Sequence, residues 1–229
     1  MTHILCFETA TECCSVAISA NTECLACEEV AEGHSHSEKV LELTGKCLDT
    51  AGLGFKDVDA ICISGGPGSY TGLRIGTSTV KGLCYALSKP LIAVPTLEGI
   101  ACGARAAYPG MELYCPMIDA RRMEVFCAVY DAQGNIRKEC GSLIIGTDSF
   151  LEERMSHSIL FCGNGAEKCN GLLSSERSIC ITTRASAKNL IPAAYSRWMQ
   201  RHFEDTAYYE PFYLKEYVAA KPHVKGLHD

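Results

Sequence analysis

The chain repeats one structural plan. Each half begins with three apolar segments that are typical of consecutive β-strands, and a helix and a further strand follow them. These strands are expected at 3–8, 13–19 and 23–30 in the first half and at 113–119, 124–131 and 135–144 in the second. The halves align without a gap at their start, with Glu8 on Asp119 and Ala17 on Ala128. Such self-similarity indicates an internal duplication, which constrains the order of elements in both halves.

The other elements follow from apolar periodicity and from turn and cap signals. In the first half we expect a helix over 35–51, a strand at 58–64, a helix at 72–87, a strand at 91–95 and a helix at 97–107. In the second half we expect a helix at 147–155, a strand at 158–165 and a helix near 186–203. Ser35 and Glu38 fit a capping box at the start of the first helix. The second half lacks a clear equivalent of the last strand and helix of the first.

A duplicated βββαβα unit is the plan of the actin, sugar kinase and Hsp70 fold. We therefore expect an α/β protein of the duplicated actin-like (ASKHA, RNase H-like) class, with an N-terminal subdomain at 1–109 and a reduced C-terminal subdomain at 110–229. In that fold the hairpin between the first two strands of each half faces a shared ATP cleft. Here these hairpins are 8–13 and 119–124.

The segment "ISGGPGSYTGLRIG" at 63–76 raises the question of a phosphate loop. Its glycine spacing fits neither the P-loop pattern nor the dinucleotide fingerprint. We expect Gly65, Gly66 and Gly68 to permit a tight exit from a buried strand. Gly72 and Gly76 lie one turn apart on the following helix, where we expect them to let another helix approach closely.

The helices at 35–51 and 72–87 have more apolar surface than one sheet can cover. Either the second half of the chain or another subunit must cover the rest. We expect a contact with another subunit there, because large apolar patches seldom stay exposed. The expected partner-binding residues are Val40, Thr44, Cys47, Gly72, Gly76, Thr79, Val80 and Leu83.

Composition excludes several classes of protein. A net charge of −6 argues against a protein that binds nucleic acid unaided. No apolar run reaches the roughly 18 residues of a membrane helix, so we expect a cytoplasmic protein with no membrane contact. In a reducing compartment we expect the 15 cysteines to be small buried apolar residues and not to form disulfides. Cys24 and Cys27 form a CxxC in a strand, where we expect them on opposite faces. His34 and His36 are expected to be solvated, so we predict no metal site.

Five segments carry a family resemblance: "GGPGSYTGLRIG", "KGLCYAL", "AVPTLEGIA", "DARRMEVF" and "GNGAEK". In this order the chain resembles the TsaB (YeaZ) family, accessory proteins of bacterial tRNA threonylcarbamoyladenosine synthesis once described as glycoprotease-like. The resemblance implies a non-catalytic scaffold that pairs with a TsaD-like subunit, recruits a TsaE-like ATPase and forms a homodimer when alone. It also implies that tRNA binds through the complex, where the adenosine next to the anticodon of tRNAs reading A-starting codons is modified.

The catalytic paralogue TsaD binds a metal through two histidines four residues apart. The matching positions here are Thr96 and Ile100, and isoleucine cannot ligate a metal. We therefore expect no cofactor on this chain alone, with ATP and metal on the partner subunits. At the end of the first strand stands Glu8, where the family usually has Asp.

Both cleft hairpins lack the glycines that let backbone approach phosphates. Arg121 and Arg122 could contact the phosphates of a nucleotide or of tRNA, or could be the exposed end of a polar hairpin. The alternative function is an ATP-dependent small-molecule kinase of the same fold, which would have to bind ATP unaided.

Overall fold

Two five-stranded sheets of identical topology form the framework of the protein. The computed structural model describes residues 1–30 and 36–215. The first sheet has the order β3-β2-β1-β4-β5, with β1 His3–Glu8, β2 Cys14–Ala20, β3 Glu23–Val30, β4 Ala60–Ser64 and β5 Leu91–Val94. The second has the order β8-β7-β6-β9-β10, with β6 Leu113–Asp119, β7 Glu124–Asp131, β8 Ile136–Ile144, β9 Ile159–Cys162 and β10 Ser178–Ile181. The duplicated actin-like α/β fold is therefore confirmed.

Six α-helices accompany the sheets in the described residues. They are α1 His36–Ala51, α2 Tyr70–Leu87, α3 Thr96–Ala107, α4 Leu151–Ser156, α5 Asn170–Leu173 and α6 Ile191–Met199. Short 3-10 helices occur at Phe55–Asp57, Glu167–Cys169 and Ala187–Leu190. The predicted cap depends on Ser35 and on the side chain of Glu38, which lie outside what the structure describes. No helix in the described ranges is both long and apolar enough to cross a membrane.

The second half is more complete than the sequence indicated. Strand β10 pairs in parallel with β9, just as β5 pairs in parallel with β4. The 3-10 turn at Ala187–Leu190 and α6 then take the place that α3 has in the first half. The expectation that this strand and helix were missing is wrong. Strand β10 has only four residues, and an apolar run this short does not by itself identify a strand.

The last helix of each half packs on the sheet of the other half. Leu97, Ile100 and Ala104 of α3 lie in the core of the second sheet. Ile191 and Ala194 of α6 lie in the core of the first sheet. The two sheets are therefore joined by two exchanged helices, and the predicted subdomain boundary at 109/110 is crossed by both.

Helices α1 and α2 cover the opposite face of the first sheet. Val40 and Cys47 of α1 and Val80 of α2 pack with Phe7 and Ile63 in a continuous apolar core. Helix α2 begins two residues earlier than expected, because the Ser69 side chain accepts a hydrogen bond from Gly72 N at 3.3 Å and caps it.

The segment after α6 runs back across the first half. Phe212 N donates to Gly65 O at 2.8 Å, and the rings of Tyr213 and Tyr70 lie 4.9 Å apart. Lys81 donates to the backbone oxygens of Ala207 and Tyr209 at 3.0 and 3.1 Å. One side of α2 is thus covered by the second half of the chain, which was one of the two alternatives.

The CxxC in β3 differs from expectation. Cys24 lies opposite Ser19 and Cys27 lies opposite Ala17 on the neighbouring strand, with Leu25 unpaired in a β-bulge. Directly opposed residues share a face, and so do residues two apart on one strand. The extra residue therefore puts both thiols on one face, and the prediction of opposite faces is wrong.

Candidate functional site

The glycine loop between β4 and α2 is held by close contacts within the chain. A Cβ added at Gly66, where φ is +103°, would overlap the backbone oxygen of Phe212. A Cβ at Gly68 would overlap the oxygen of Ala10 in the first hairpin, and Ser69 N donates to that same oxygen at 2.6 Å. Glycine is needed here because the tail and the first hairpin both approach the loop backbone.

Gly72 and Gly76 face the interior of the first half. Thr9 donates its hydroxyl hydrogen to Gly72 O at 2.9 Å. A Cβ on Gly76 would overlap the Thr9 hydroxyl and lie 3.0 Å from Ile63 Cδ1. The space beside Gly76 is filled by Thr9 of the first hairpin and Ile63 of β4, so the expectation that this glycine leaves room for a partner helix is wrong. Gly72 is itself buried.

Most of the predicted docking residues are core residues. Val40, Thr44, Cys47 and Val80 have no exposed surface. Their apolar spacing marked the face that packs on the chain's own sheet, and the prediction that they contact a partner is wrong. Thr79 and Leu83 are half-buried and remain accessible.

The outer face of α1 and α2 combines large exposed side chains with open glycines. Leu41 is 55% exposed and Tyr85 is 86% exposed. A Cβ added at Gly45 or Gly82 would meet nothing within 4 Å. Glycine inside a helix costs roughly 0.5–1 kcal/mol relative to alanine, and no contact within the described residues explains it at these two positions.

The two hairpins form a cleft, as the fold class predicts. A cavity of about 570 Å³ lies between residues 10–12 of the first hairpin and Asp119 and Arg121 of the second. Asn164, in the loop after β9, donates to a carboxylate oxygen of Glu12 at 2.7 Å and so joins the two halves. Asp119 forms an ion pair with Lys168. The acids of the cleft are therefore engaged with groups of the second half.

Arg121 and Arg122 occupy the turn of the second hairpin. Both have positive φ values, +72° and +50°, which residues with a side chain seldom adopt. Arg121 N donates to Asp119 Oδ1 at 2.8 Å, which helps to hold the turn. Arg121 lines the cleft, whereas Arg122 is exposed outside its lining. The left-handed backbone of this turn is strained, and both arginine side chains that it carries are exposed.

Glu8 lies buried at the end of β1 and is only 1% exposed. One carboxylate oxygen accepts a hydrogen bond from Ala10 N at 2.6 Å. Burial raises the pKa of Glu8 to about 7, although the Ser64 hydroxyl and the Ala10 amide oppose that shift. The longer acid is thus folded back on its own hairpin, and it does not line the cleft.

Thr96 and Ile100, at the metal-ligand positions of the paralogue, have structural contacts. The Thr96 hydroxyl pairs with that of Ser64 at 2.8 Å and accepts from Gly66 N at 3.1 Å. Ile100 is buried in the core around the second sheet. Within residues 1–30 and 36–215, no three His, Cys, Asp or Glu side chains are arranged to hold a metal. The predicted solvation of His34 and His36 concerns side chains outside the described ones.

Burial disfavours the thiolate form of several cysteines. Burial raises the pKa of Cys14 to about 11 and that of Cys84 to about 12. All 15 cysteines are free thiols. Because the thiolate is the reactive form, Cys14 and Cys84 are inert near neutral pH.

Comparisons with known proteins agree with this arrangement. A family model described as "tRNA N6-adenosine threonylcarbamoyltransferase" (TsaD) matches residues 29–220. The tRNA threonylcarbamoyladenosine biosynthesis protein TsaB of Escherichia coli is 29% identical over 229 residues, covering 96% of this chain and 97% of that protein. The tRNA N6-adenosine threonylcarbamoyltransferase of Moorella thermoacetica is 44% identical over 85 residues, or 37% of this chain and 25% of that enzyme. The solved structure of YeaZ from Pseudomonas aeruginosa superposes with a TM-score of 0.77 at 28% identity, covering 93% of this chain and 100% of that one.

Proposed function

The chain belongs to the TsaD family, and from that premise we propose that it is the TsaB-type subunit of tRNA threonylcarbamoyladenosine synthesis. In this role it is a non-catalytic scaffold that pairs with a TsaD-like subunit. That partner transfers the threonylcarbamoyl group to the adenosine next to the anticodon of tRNAs that read A-starting codons. The observation that carries the proposal is the similarity to TsaB proteins over almost the whole of both chains, whereas the transferase is matched over only 25% of its length.

The residues at the paralogue's metal positions support a role without catalysis. Thr96 uses its hydroxyl to tie Ser64 to the glycine loop, and Ile100 fills the core of the second sheet. Neither can take the place of a histidine ligand. We therefore propose that this chain carries no cofactor alone, and that ATP and metal belong to the partner subunits.

We propose that the TsaD-like subunit docks on the outer face of α1 and α2, which replaces the inward face predicted from periodicity. This outer face consists of Leu41, Gly45, Thr79, Gly82, Leu83, Tyr85 and Ala86. Small residues let helix backbones approach closely, and exposed apolar side chains supply burial when a partner packs on them. A TsaD-like subunit has the same fold plan, so its equivalent helices would complete a four-helix contact. The same face would pair two copies of this chain when the partner is absent.

The remaining partners are proposed from the same family membership. Arg121 and Arg122 extend from the cleft mouth, where guanidinium groups could contact tRNA phosphates once the complex has positioned the tRNA. A TsaE-like ATPase would bind the assembled complex. We propose the cytoplasm as the compartment because every cysteine is a free thiol. The kinase alternative gains nothing from the relatives above, whose names concern tRNA modification.

The test is a reconstituted transfer assay with the matching TsaD-like and TsaE-like proteins, ATP, a threonylcarbamoyl donor and tRNA. We expect transfer only when this chain is added, and none from this chain alone. Gly82→Arg should abolish co-elution with the TsaD-like subunit and abolish transfer. Gly171→Arg is the matched control, since Gly171 is also a helical glycine with nothing within 4 Å but lies on α5.

Transfer by this chain without a TsaD-like subunit would refute the scaffold role. Normal transfer by the Gly82→Arg variant would place the docking surface elsewhere.

A further inference from the structure

A second cavity lies on the opposite side of the glycine loop from the cleft. It measures about 490 Å³, within the size range of small-ligand sites. Four segments meet around it: the loop at 65–67, the stretch from the end of β5 to the start of α3, the edge formed by β7 and β8, and the segment from α6 to Phe212. Its lining shares no residue with the inter-half cleft or with the outer face of α1 and α2.

The walls of this cavity are aromatic and aliphatic. Tyr130, Tyr209 and Phe212 supply rings, and Pro67 and Leu97 supply apolar surface between them. Aromatic faces attract cations, and the apolar walls can pack against an aliphatic chain.

The charges around the cavity are predominantly negative. Glu139, Glu204 and Glu210 line it, and none of the three forms an ion pair with another described residue. The one arginine of the lining, Arg197, is already paired with both carboxylate oxygens of Glu98, and His202 is the only other basic side chain of the lining. An anionic ligand would therefore be repelled, whereas a cation would be attracted.

Tyr130 adds a polar group to the wall of this cavity. It is 5% exposed and lines the cavity, yet no described residue forms a hydrogen bond with its hydroxyl. Burial raises the pKa of Tyr130, so the phenol stays protonated and can both donate and accept. A molecule that enters the cavity could therefore hydrogen-bond with this hydroxyl without displacing a partner from the described residues.

We propose that this cavity binds an organic cation, a primary ammonium or guanidinium group on an aliphatic stem. The stem packs on the proline, leucine and aromatic walls. The charged head donates hydrogen bonds to the carboxylates and to the Tyr130 oxygen. Two sources share this chemistry: a free polyamine, and a lysine or arginine side chain that a partner protein inserts. The proposal is independent of the TsaB-type function, because it concerns the isolated chain.

The experiment titrates the purified full chain with three probes at constant ionic strength. Spermidine represents a free polyamine, Nα-acetyl-lysine amide represents an inserted side chain, and Nα-acetyl-norleucine amide is its uncharged match. Isothermal titration calorimetry measures the binding of each probe. We expect saturable binding of at least one cationic probe and none of the norleucine amide.

Two variants test the assignment of the site. Glu204→Gln removes one carboxylate charge, and Tyr130→Phe removes only the hydroxyl, so each should weaken binding about tenfold. Glu152→Gln removes an exposed acid on α4 and should leave affinity unchanged. Preference for spermidine would identify a free polyamine as ligand, and preference for the lysine amide would identify an inserted side chain. Equal binding of the norleucine amide, no saturable binding, or equal effects of Glu204→Gln and Glu152→Gln would overturn the proposal.

Discussion

Arg197 on α6 donates two hydrogen bonds to the carboxylate of Glu98 on α3, at 3.0 and 2.8 Å. The two residues come from opposite halves of the sequence and sit on the two helices that the halves exchange. Both side chains are largely buried, at 21% and 30% exposed. The ion pair therefore links α3 to α6, and because it is largely shielded from solvent, its charges are less screened than those of a surface pair.

Loss of this ion pair should destabilise the protein. Arg197→Ala leaves the partly buried Glu98 carboxylate without its partner, and we expect a loss of about 1–3 kcal/mol in the free energy of unfolding. Urea denaturation followed by circular dichroism measures it. Lys46→Ala is the control, because the Lys46–Glu42 pair is exposed and such pairs contribute little. Equal losses in the two variants would show that the helix exchange does not depend on this pair.

The buried Glu8 should make stability depend on pH. Its folded-state pKa of about 7 lies above the ordinary value of 4.5, so the folded state binds this proton more tightly than the unfolded state does. The free energy of unfolding should fall as pH rises from about 4.5 to about 7, by roughly 3 kcal/mol for a shift of this size. Glu8→Gln should therefore gain stability relative to wild type between pH 5 and pH 8.

Thermal unfolding at a series of pH values measures this difference. Glu152→Gln, an exposed change of the same kind, should follow the wild-type profile. A constant difference between Glu8→Gln and wild type across the window would contradict the raised pKa.

Strand alternation and turn signals predicted the framework of this fold. The bounds of β1, β3, β6 and β7 agree with the sequence, because each combines apolar runs with polar turns on both sides. Strand β10 was missed because its apolar run is too short to stand out from a loop. The helix exchange has no local sequence signal at all. Helix α4 begins at Leu151, four residues later than expected, after Phe150 adopts a left-handed conformation.

The functional surfaces were harder to predict for a physical reason. Periodicity showed that Val40, Cys47 and Val80 share apolar faces, but a chain's own sheet and a partner both produce such faces. The outer face combines a few apolar side chains, such as Leu41 and Tyr85, with the glycines Gly45 and Gly82, and this mixture produces no continuous apolar periodicity. The second cavity is assembled from segments between residues 65 and 212, so no single motif could reveal it.

The two helical glycines Gly76 and Gly82 should respond in opposite ways to alanine. A Cβ at Gly76 would overlap the Thr9 hydroxyl, which is held in place by its hydrogen bond to Gly72 O. We therefore expect Gly76→Ala to lower the free energy of unfolding by about 1–3 kcal/mol. A Cβ at Gly82 meets nothing within 4 Å and should stabilise α2 by about 0.5–1 kcal/mol. The urea midpoints of Gly76→Ala, Gly82→Ala and the unmodified protein measure these changes. A higher midpoint for Gly76→Ala than for the unmodified protein would contradict the inward placement of Gly76.

Replacing Arg121 and Arg122 should stabilise the fold but weaken tRNA binding. Both residues hold a left-handed conformation that asparagine and glycine adopt more readily. The double change Arg121→Asn with Arg122→Gly should therefore raise the free energy of unfolding by about 1 kcal/mol. The same change removes two cations from the cleft mouth, so tRNA binding by the complex with the TsaD-like subunit should weaken and depend less on salt. Filter binding at two salt concentrations measures this. A variant that is more stable yet binds tRNA as wild type does would show that the strained arginines serve some other contact.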